Sequence, residues 1–283
     1  MKTFLIPTLG QAVWMVLITL GLNGCSKKVE TNIPVNNTAR ISFYNASYAL
    51  TGESNSGNPY GNLILVDSHD TGYRSLLDFS DAKYPYFHGT NNVGPAFPLS
   101  YNTDQWLNYM RLSNGDHYLL LLDTSRVILD STHVKLEPES TTTIFYGDSL
   151  GVIRILALND PFVSSDGKIG LRIINLSPTN GSVFVTLNNT IPPELPANTR
   201  YGDHTGFIPI NIPGSDTLKV KVYAPGDTTT LLARTSVITM PGHAYTLLIS
   251  GYNNNSPASY VDPRTHKTIG INPNFSVTPV KNF

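Results

Sequence analysis

Cysteine is almost absent from this chain. Its 283 residues contain one, Cys25, so no disulfide can form within the chain and no cluster of thiolates can hold a metal. Charged residues are also few: they make up 14% of the chain, and the formal net charge is −1. Because proteins that bind nucleic acid carry a basic face, we expect no nucleic-acid partner. The fold must be stabilised by an apolar core rather than by covalent links.

Motifs that would place catalytic or metal-binding residues are missing around the histidines. The seven histidines are scattered, and no H-E-x-x-H or phosphate-cradling glycine motif accompanies them. Three lie beside an aspartate, in Asp67–Asp70, Asp116-His117 and Asp203-His204. Such neighbours arise easily by chance at this composition. We therefore expect no catalytic residue, no metal and no cofactor, and we keep a hydrolase that uses an Asp-His loop as a distant alternative.

The N-terminal segment has the layout of a secretory signal. Lys2 is its only charge, and Phe4–Leu22 is uncharged and mostly apolar. The stretch Leu22–Cys25 (Leu-Asn-Gly-Cys) resembles the lipobox of bacterial lipoproteins. The resemblance implies that residues 1–24 are a lipoprotein signal peptide, cleaved between Gly24 and Cys25, and that acyl chains such as palmitate are attached to Cys25. A transmembrane anchor, or a plain signal followed by a chance cysteine, is the alternative.

Residues 25–38 have the composition of a flexible tether. They show no apolar periodicity and include Pro34. Lys27 and Lys28 either rest on anionic lipid headgroups or are solvated. Removal of residues 1–24 takes away one lysine and leaves a formal charge of 18 minus 20, or −2. We expect a protein of the cell envelope that the lipid holds at the outer membrane, on a face that the sequence leaves open.

From Ala39 onwards the pattern is that of short strands joined by turns. In Leu218–Val222 the apolar residues alternate with lysines, as in an antiparallel strand with one buried face. Asn-Gly and Pro-Gly pairs supply turns at short intervals, which is typical of a β-sandwich. The best candidate for a helix after the signal is Tyr73–Ala82, and it is long enough for only one or two turns.

Two sequence matches indicate an internal duplication. Asn45-Ala46-Ser47 recurs 130 residues later as Asn175-Leu176-Ser177, and Ile128–Pro138 recurs 103 residues later as Leu231–Pro241. The difference between the two offsets predicts about 27 extra residues in the first copy. We predict that four core residues of the first copy occupy the same positions as four of the second. These are Ile41, Phe43, Val134 and Ile144, matched by Leu171, Ile173, Val237 and Leu247.

The repeated segments resemble the domain-of-unknown-function 4397 family. Ala39–Ser47 and Gly170–Pro178 have its Arg-bearing first strand followed by an Asn-x-Ser turn, although the first copy has Tyr48 where the family has proline. Pro241–Gly251 resembles its glycine-bounded last strand. The resemblance implies two tandem immunoglobulin-like antiparallel β-sandwich domains in a bacterial envelope lipoprotein, and it brings no catalytic residues. The modules are predicted at residues 39–160 and 166–252.

The first copy contains an insertion, at about residues 51–106, that is rich in aromatic residues and broken by glycine and proline. Long loops on a rigid sandwich often carry recognition, and aromatic faces suit sugar rings. Tyr84, Tyr86 and Trp106 are the best candidates for exposed, ligand-binding rings. The alternative is that the rings pack the loop onto the sandwich.

The tail, residues 253–283, begins with a linker-like Asn-Asn-Asn-Ser-Pro run. It either adds strands or covers a sheet edge, or it is disordered. The sequence as a whole predicts a non-enzymatic binding or scaffold lipoprotein, with the membrane, envelope proteins or glycans as partners. The alternative function is a surface glycan-binding lipoprotein of a polysaccharide-uptake system.

Overall fold

The structure is a computed structural model in which the described residues belong to one compact unit, Val35–Phe283. It is almost entirely β, which confirms the predicted fold class of an all-β sandwich. Within the part of the chain described, no helix has the length and apolar character needed to cross a bilayer. The helix predicted at Tyr73–Ala82 lies outside the described residues. These are residues 37–54, 62–69, 85–87, 96–97, 106–162, 167–178, 181–212, 217–226 and 229–283.

The first half of the unit forms two sheets and one short helix. Sheet I has the order β4-β1-β8-β9, with β5 also paired to β1, and sheet II has the order β3-β2-β6-β7. All neighbouring strands are antiparallel except β1 and β8, which are parallel. The elements are β1 (Thr38–Asn45), α1 (Tyr48–Ser54), β2 (Asn62–Val66), β3 (Tyr86–Phe87), β4 (Ala96–Phe97), β5 (Met110–Ser113), β6 (Gly115–Leu122), β7 (Ile128–Leu136), β8 (Thr141–Ser149) and β9 (Val152–Asn159).

The second half repeats this arrangement. Sheet III has the order β13-β10-β16-β19 and sheet IV the order β12-β11-β14-β15. As in the first half, the two central strands of one sheet, here β10 and β16, are parallel. A separate hairpin, β17–β18, lies in the tail. The elements are β10 (Lys168–Leu176), β11 (Ser182–Leu187), β12 (Thr199–Arg200), β13 (Ile208–Asn211), β14 (Thr217–Tyr223), β15 (Leu231–Ile238), β16 (Ala244–Ser250), β17 (Ser259–Val261), β18 (Thr268–Gly270) and β19 (Ser276–Lys281).

Strand registers repeat between the two halves. Phe43 pairs with Ile144 across β1 and β8, and Ile173 pairs with Leu247 across β10 and β16. Phe43 and Ile173 are 130 residues apart, and Ile144 and Leu247 are 103 residues apart, so residues that the two offsets make equivalent hold the same register positions. All eight predicted core residues are buried: Ile41, Phe43, Val134, Ile144, Leu171, Ile173, Val237 and Leu247.

Three apolar clusters separate four layers of sheet. One cluster, which includes Ile41 and Leu119, lies between sheets I and II, and a second, which includes Ile173 and Val220, lies between sheets III and IV. A third cluster joins sheets I and III, because it combines residues such as Phe145 with Leu248. We call this third contact the seam. The layers therefore follow the order II, I, III, IV, as expected when two sandwiches bury one more apolar face between them.

The predicted insertion contains a core strand. All five residues of Asn62–Val66 are buried, and the strand lies in sheet II beside β6. Ile64 contributes to the core between sheets I and II, whereas Leu63 belongs to an apolar cluster on the opposite face. A strand that is buried on both faces reads as a continuous apolar run without alternation. The extra residues of the first copy therefore lie on both sides of β2 instead of forming one insertion.

The tail completes the second sandwich. Strand β19 pairs antiparallel with β16, as β9 pairs with β8 in the first sandwich. The second sandwich therefore extends beyond residue 252, to Lys281. The rest of the tail packs through Tyr252, Tyr260 and Ile271, which form a small apolar cluster with Tyr48.

Candidate functional site

Most of the predicted site residues lie outside what the structure describes. Gly24, Cys25 and Tyr84 are not among the described residues. Tyr86 contributes its backbone to β3, where it pairs with Leu63, and its side chain is not described.

Trp106 is the predicted ligand-binding ring that the structure describes, and it is half-buried. Its backbone forms a parallel bridge with Lys281, and the N–H of Leu107 donates to the Lys281 carbonyl at 2.7 Å. Its ring centroid lies 4.6 Å from that of His243 and 5.6 Å from that of Tyr245. Trp106 thus packs onto the second sandwich, in contrast to the exposed ring that we expected.

One of the Asp-His pairings exists in space, between residues that are distant in sequence. The carboxylate of Asp67 lies 2.7 Å from Nδ1 of His117, and Nε2 of His117 lies 2.7 Å from the carbonyl oxygen of Ser113. Asp67 also accepts from the N–H of Tyr118 at 2.9 Å. Both ring nitrogens of His117 thus contact oxygen atoms of the protein. The pair fastens β6 to the end of β2.

At the Asp203-His204 step the described contacts involve the backbone. The carboxylate of Asp203 accepts from the N–H of Arg200 at 2.7 Å, and His204 forms a backbone bridge with Ile174. Among the described residues there is no group of three or more His, Cys, Asp or Glu side chains that could hold a metal ion.

A Gly-x-Ser-x-Gly string, Gly147–Gly151, forms a hairpin turn. In α/β-hydrolases this spacing holds a serine nucleophile on a sharp turn from a strand into a helix. Here the string joins β8 to β9, with φ of 51° at Leu150 and 82° at Gly151, the left-handed geometry of a two-residue hairpin turn. Asp148 in this string is buried and accepts from the hydroxyl of Tyr252 at 2.9 Å. The surroundings are those of a strand connection and not of a nucleophile.

The repeated Asn-x-Ser motif closes each sandwich at the same place. In Asn45-Ala46-Ser47 the asparagine oxygen accepts from the serine N–H at 2.8 Å, and the serine hydroxyl donates to Asp148 at 2.7 Å. In Asn175-Leu176-Ser177 the corresponding distances are 2.9 and 2.7 Å, and the acceptor is the carbonyl of Gly251. Asp148 and Gly251 are 103 residues apart, so they are equivalent positions of the two copies. The motif therefore joins the end of the first strand to the end of its parallel neighbour.

A buried ion pair lies in the seam. Nη1 of Arg172 lies 2.7 Å from the carboxylate of Asp160, and the two side chains are 1% and 0% exposed. Nε of Arg172 donates to the hydroxyl of Thr246 at 3.0 Å, and the guanidinium lies 4.4 Å from the centroid of the Phe207 ring. Burying a charge is costly unless it is paired and hydrogen-bonded. Arg172 is paired, and its Nε and Nη1 donate hydrogen bonds, whereas its Nη2 is buried without a hydrogen-bond partner among the described residues.

Hydroxyl groups from both sandwiches complete this network. Asp160 accepts from the hydroxyl of Thr143 and, at 2.9 Å, from that of Tyr109. Burial, and then the nearby Asp160 carboxylate, raise the pKa of Tyr109 well above its ordinary value, so the phenol stays a donor. The amide of Asn282 donates to the Tyr109 hydroxyl at 3.4 Å. The network connects β8 and the segment after β9 with β10, β16 and the segment after β19.

A cleft of about 460 Å³ opens at one end of the seam. Its polar lining residues come from sheet I and its connections, and its two phenylalanines follow β9 and β19. Its lining includes Arg40, Ser140, Thr141, Asn159, Phe162 and Phe283. None of these residues was singled out from the sequence as a site residue, because their proximity depends on strand register and on the packing of the two sandwiches.

No family model matches the chain, and no curated protein matches it. A functional proposal for this chain therefore depends on its own residues and their geometry.

Proposed function

We propose that the protein is a lipid-anchored, non-enzymatic binding or scaffold protein of the bacterial cell envelope, with Cys25 as the site of lipid attachment. In this proposal the two sandwiches are tandem modules of the domain-of-unknown-function 4397 family, which their repeated segments resemble. The tether of residues 25–38 connects the lipid to the stacked sandwiches, and the outer membrane is the location that we favour.

One observation carries the binding or scaffold role: three buried, chemically reactive side chains of the described residues are engaged in structural contacts. His117 is held at both ring nitrogens, Asp148 accepts from Ser47 and Tyr252, and Asp160 is paired with Arg172. Enzymes need a nucleophile, acid or base that can reach a substrate. A body whose buried His117, Asp148 and Asp160 serve the fold in this way suits presentation of a surface.

The lipid anchor is tested by mass spectrometry of the N-terminal peptide. We expect a peptide that begins at Cys25 and carries the added mass of acyl chains. The variant Cys25→Ala should abolish the modification and release the protein from the membrane fraction, since stable anchoring needs at least two acyl chains or one chain and a basic patch. An unmodified soluble chain that begins at Ser26 or later would refute the anchor.

A surface glycan-binding role in polysaccharide uptake is the second candidate. The observation that favours it is the cleft at the seam, whose lining combines aromatic rings with hydroxyl, amide and guanidinium groups. The aromatic loop offers less support, because Trp106 packs against His243. A glycan array on the purified chain tests this role, and an array without a hit would leave the scaffold role.

A further inference from the structure

Two arginines lie directly opposite each other on the seam-facing side of sheet I. Arg40 of β1 pairs with Arg111 of β5, and on its other side Arg40 pairs with Thr141 of β8. The N–H of Asp160 donates to the Thr141 carbonyl at 2.7 Å and extends the row across the sheet. Paired residues share a face, so the four side chains form a row, and both arginines are exposed.

This arginine pair has no evident role in stabilising the fold. Like charges directly opposite each other on neighbouring strands are destabilising. Neither arginine forms an ion pair with another described residue, and the charge of Asp160 is already matched by Arg172. An anion bound beside the row would remove the repulsion.

The second sandwich shows that the fold does not require these charges. At the positions of Arg40 and Arg111 it has Gly170 and Pro209, which pair in the same register. The ring of Phe162 covers Gly170 so closely that a Cβ there would lie 2.5 Å from two ring carbons. The equivalent positions are therefore uncharged and covered by Phe162 in the second sandwich, whereas in the first sandwich they are exposed and positively charged.

We infer that the cleft at this end of the seam binds an acidic sugar. Arg40 lines the cleft with Ser140, Thr141 and Asn159. Phe162 and Phe283 also line it, with their ring centroids 6.2 Å apart. A guanidinium binds a carboxylate with two parallel hydrogen bonds, hydroxyl and amide groups match sugar hydroxyls, and aromatic rings pack against the apolar face of a sugar ring.

The charges of the cleft favour a ligand with one carboxylate over a polyanion. Glu139 lies in the lining with Arg40 and offsets part of its positive charge. Glu139 can accept hydrogen bonds from sugar hydroxyls but repels further anionic groups. The inference rests on the proposed function only in treating the sandwiches as a binding module, and it does not depend on the lipid at Cys25.

Calorimetric titration of the full chain in detergent with three matched probes tests the inference. Methyl β-glucuronide carries both the ring and the carboxylate, methyl β-glucoside carries the ring alone, and acetate carries the carboxylate alone. We expect the glucuronide to bind at least about tenfold more tightly than either, a difference of about 1.4 kcal/mol. Equal binding of the glucoside or of acetate, or no binding of the glucuronide, would overturn the inference.

The variant Arg40→Gln should weaken glucuronide binding by about tenfold or more without lowering the melting temperature, because it relieves the repulsion with Arg111. Arg234→Gln is the matched control: it removes the same charge from an exposed position on β15 and should leave binding unchanged. Unchanged affinity in Arg40→Gln would also refute the site. The mass of the N-terminal peptide is measured separately, so failure of the cleft and failure of the anchor are distinguishable.

Discussion

Arg172 shows how one residue can link the two sandwiches. It is the largest of the fully buried side chains, and its partners come from both halves of the chain: Asp160 follows β9, and Thr246 lies on β16. The equivalent position of the first copy is Ser42, which is small and uncharged. The duplication is therefore asymmetric at the seam, where one copy supplies the cation and the segment after the other supplies the anion.

Removing the cation alone should strongly destabilise the protein. Arg172→Met leaves the Asp160 carboxylate buried without its counter-charge, and we expect a loss of about 3–5 kcal/mol in the free energy of unfolding. The double variant Arg172→Met/Asp160→Leu should be more stable than the single one, because no buried charge remains. Urea denaturation measures both. A cost below about 1 kcal/mol for the single variant would mean that the pair is solvated.

Tyr44 gives the stability of the seam a dependence on alkaline pH. Burial raises the pKa of Tyr44 from its ordinary value of 10.0 to about 12, so the unfolded chain ionises first. Its contribution is therefore complete below pH 10 and is lost as the pH rises from about 10 to 12, by about 1.4 kcal/mol per pH unit. Denaturation curves across this range should fall less steeply for Tyr44→Phe. Equal slopes for the two proteins would contradict the prediction.

At the scale of elements, the Asn-x-Ser motif determines how the paired strands end. Its serine donates to a carboxylate in the first copy and to a backbone carbonyl in the second, both at 2.7 Å. Bonds to a charged group contribute about 1.5–3 kcal/mol, against about 0.5–1.5 kcal/mol for bonds between neutral groups. The two copies thus provide a comparison within one molecule.

We expect Ser47→Ala to cost more stability than Ser177→Ala, by about 1 kcal/mol. Chemical denaturation of the two variants, with the double variant as a check on independence, measures the difference. The reverse order would indicate that Asp148 is satisfied by Tyr252 and the backbone without the Ser47 hydroxyl.

At the scale of the whole molecule, the segment before β5 connects the first half to the second sandwich. Leu107 donates to the backbone of β19 and Trp106 packs against His243 and Tyr245. A chain segment from one half therefore extends a sheet of the other. This exchange, with the apolar seam and the buried ion pair, explains why residues 35–283 form a single compact unit.

Trp106→Ala should lower the free energy of unfolding by about 1–3 kcal/mol, because it removes a half-buried ring. Ile238→Ala is the control, since that side chain is 64% exposed and its loss should cost less than about 0.5 kcal/mol. Thermal unfolding measures both. If Trp106→Ala left stability unchanged but reduced binding to a glycan, the exposed-ring hypothesis for Trp106 would replace the packing role.

Local sequence pattern determined much of this protein. Alternation of apolar and polar residues predicted strands such as Leu218–Val222, and the two repeat offsets predicted that Phe43 and Ile144 hold the same core positions as Ile173 and Leu247. These predictions succeed because side-chain burial in a strand has a period of two, which is written in the order of residues. The pattern failed at Asn62–Val66, where burial on both faces removes the alternation.

Tertiary structure alone decided the seam and the cleft. The packing of sheet I on sheet III brings Arg172 to Asp160, and strand register places Arg40 opposite Arg111, although 71 residues separate them in the chain. The sequence predicted that Trp106 is an exposed ring in a loop, whereas in the structure Trp106 lies beside β19. Contacts of this kind depend on how complete sheets pack against each other. The residue order of one strand does not specify which strand or sheet its side chains will contact.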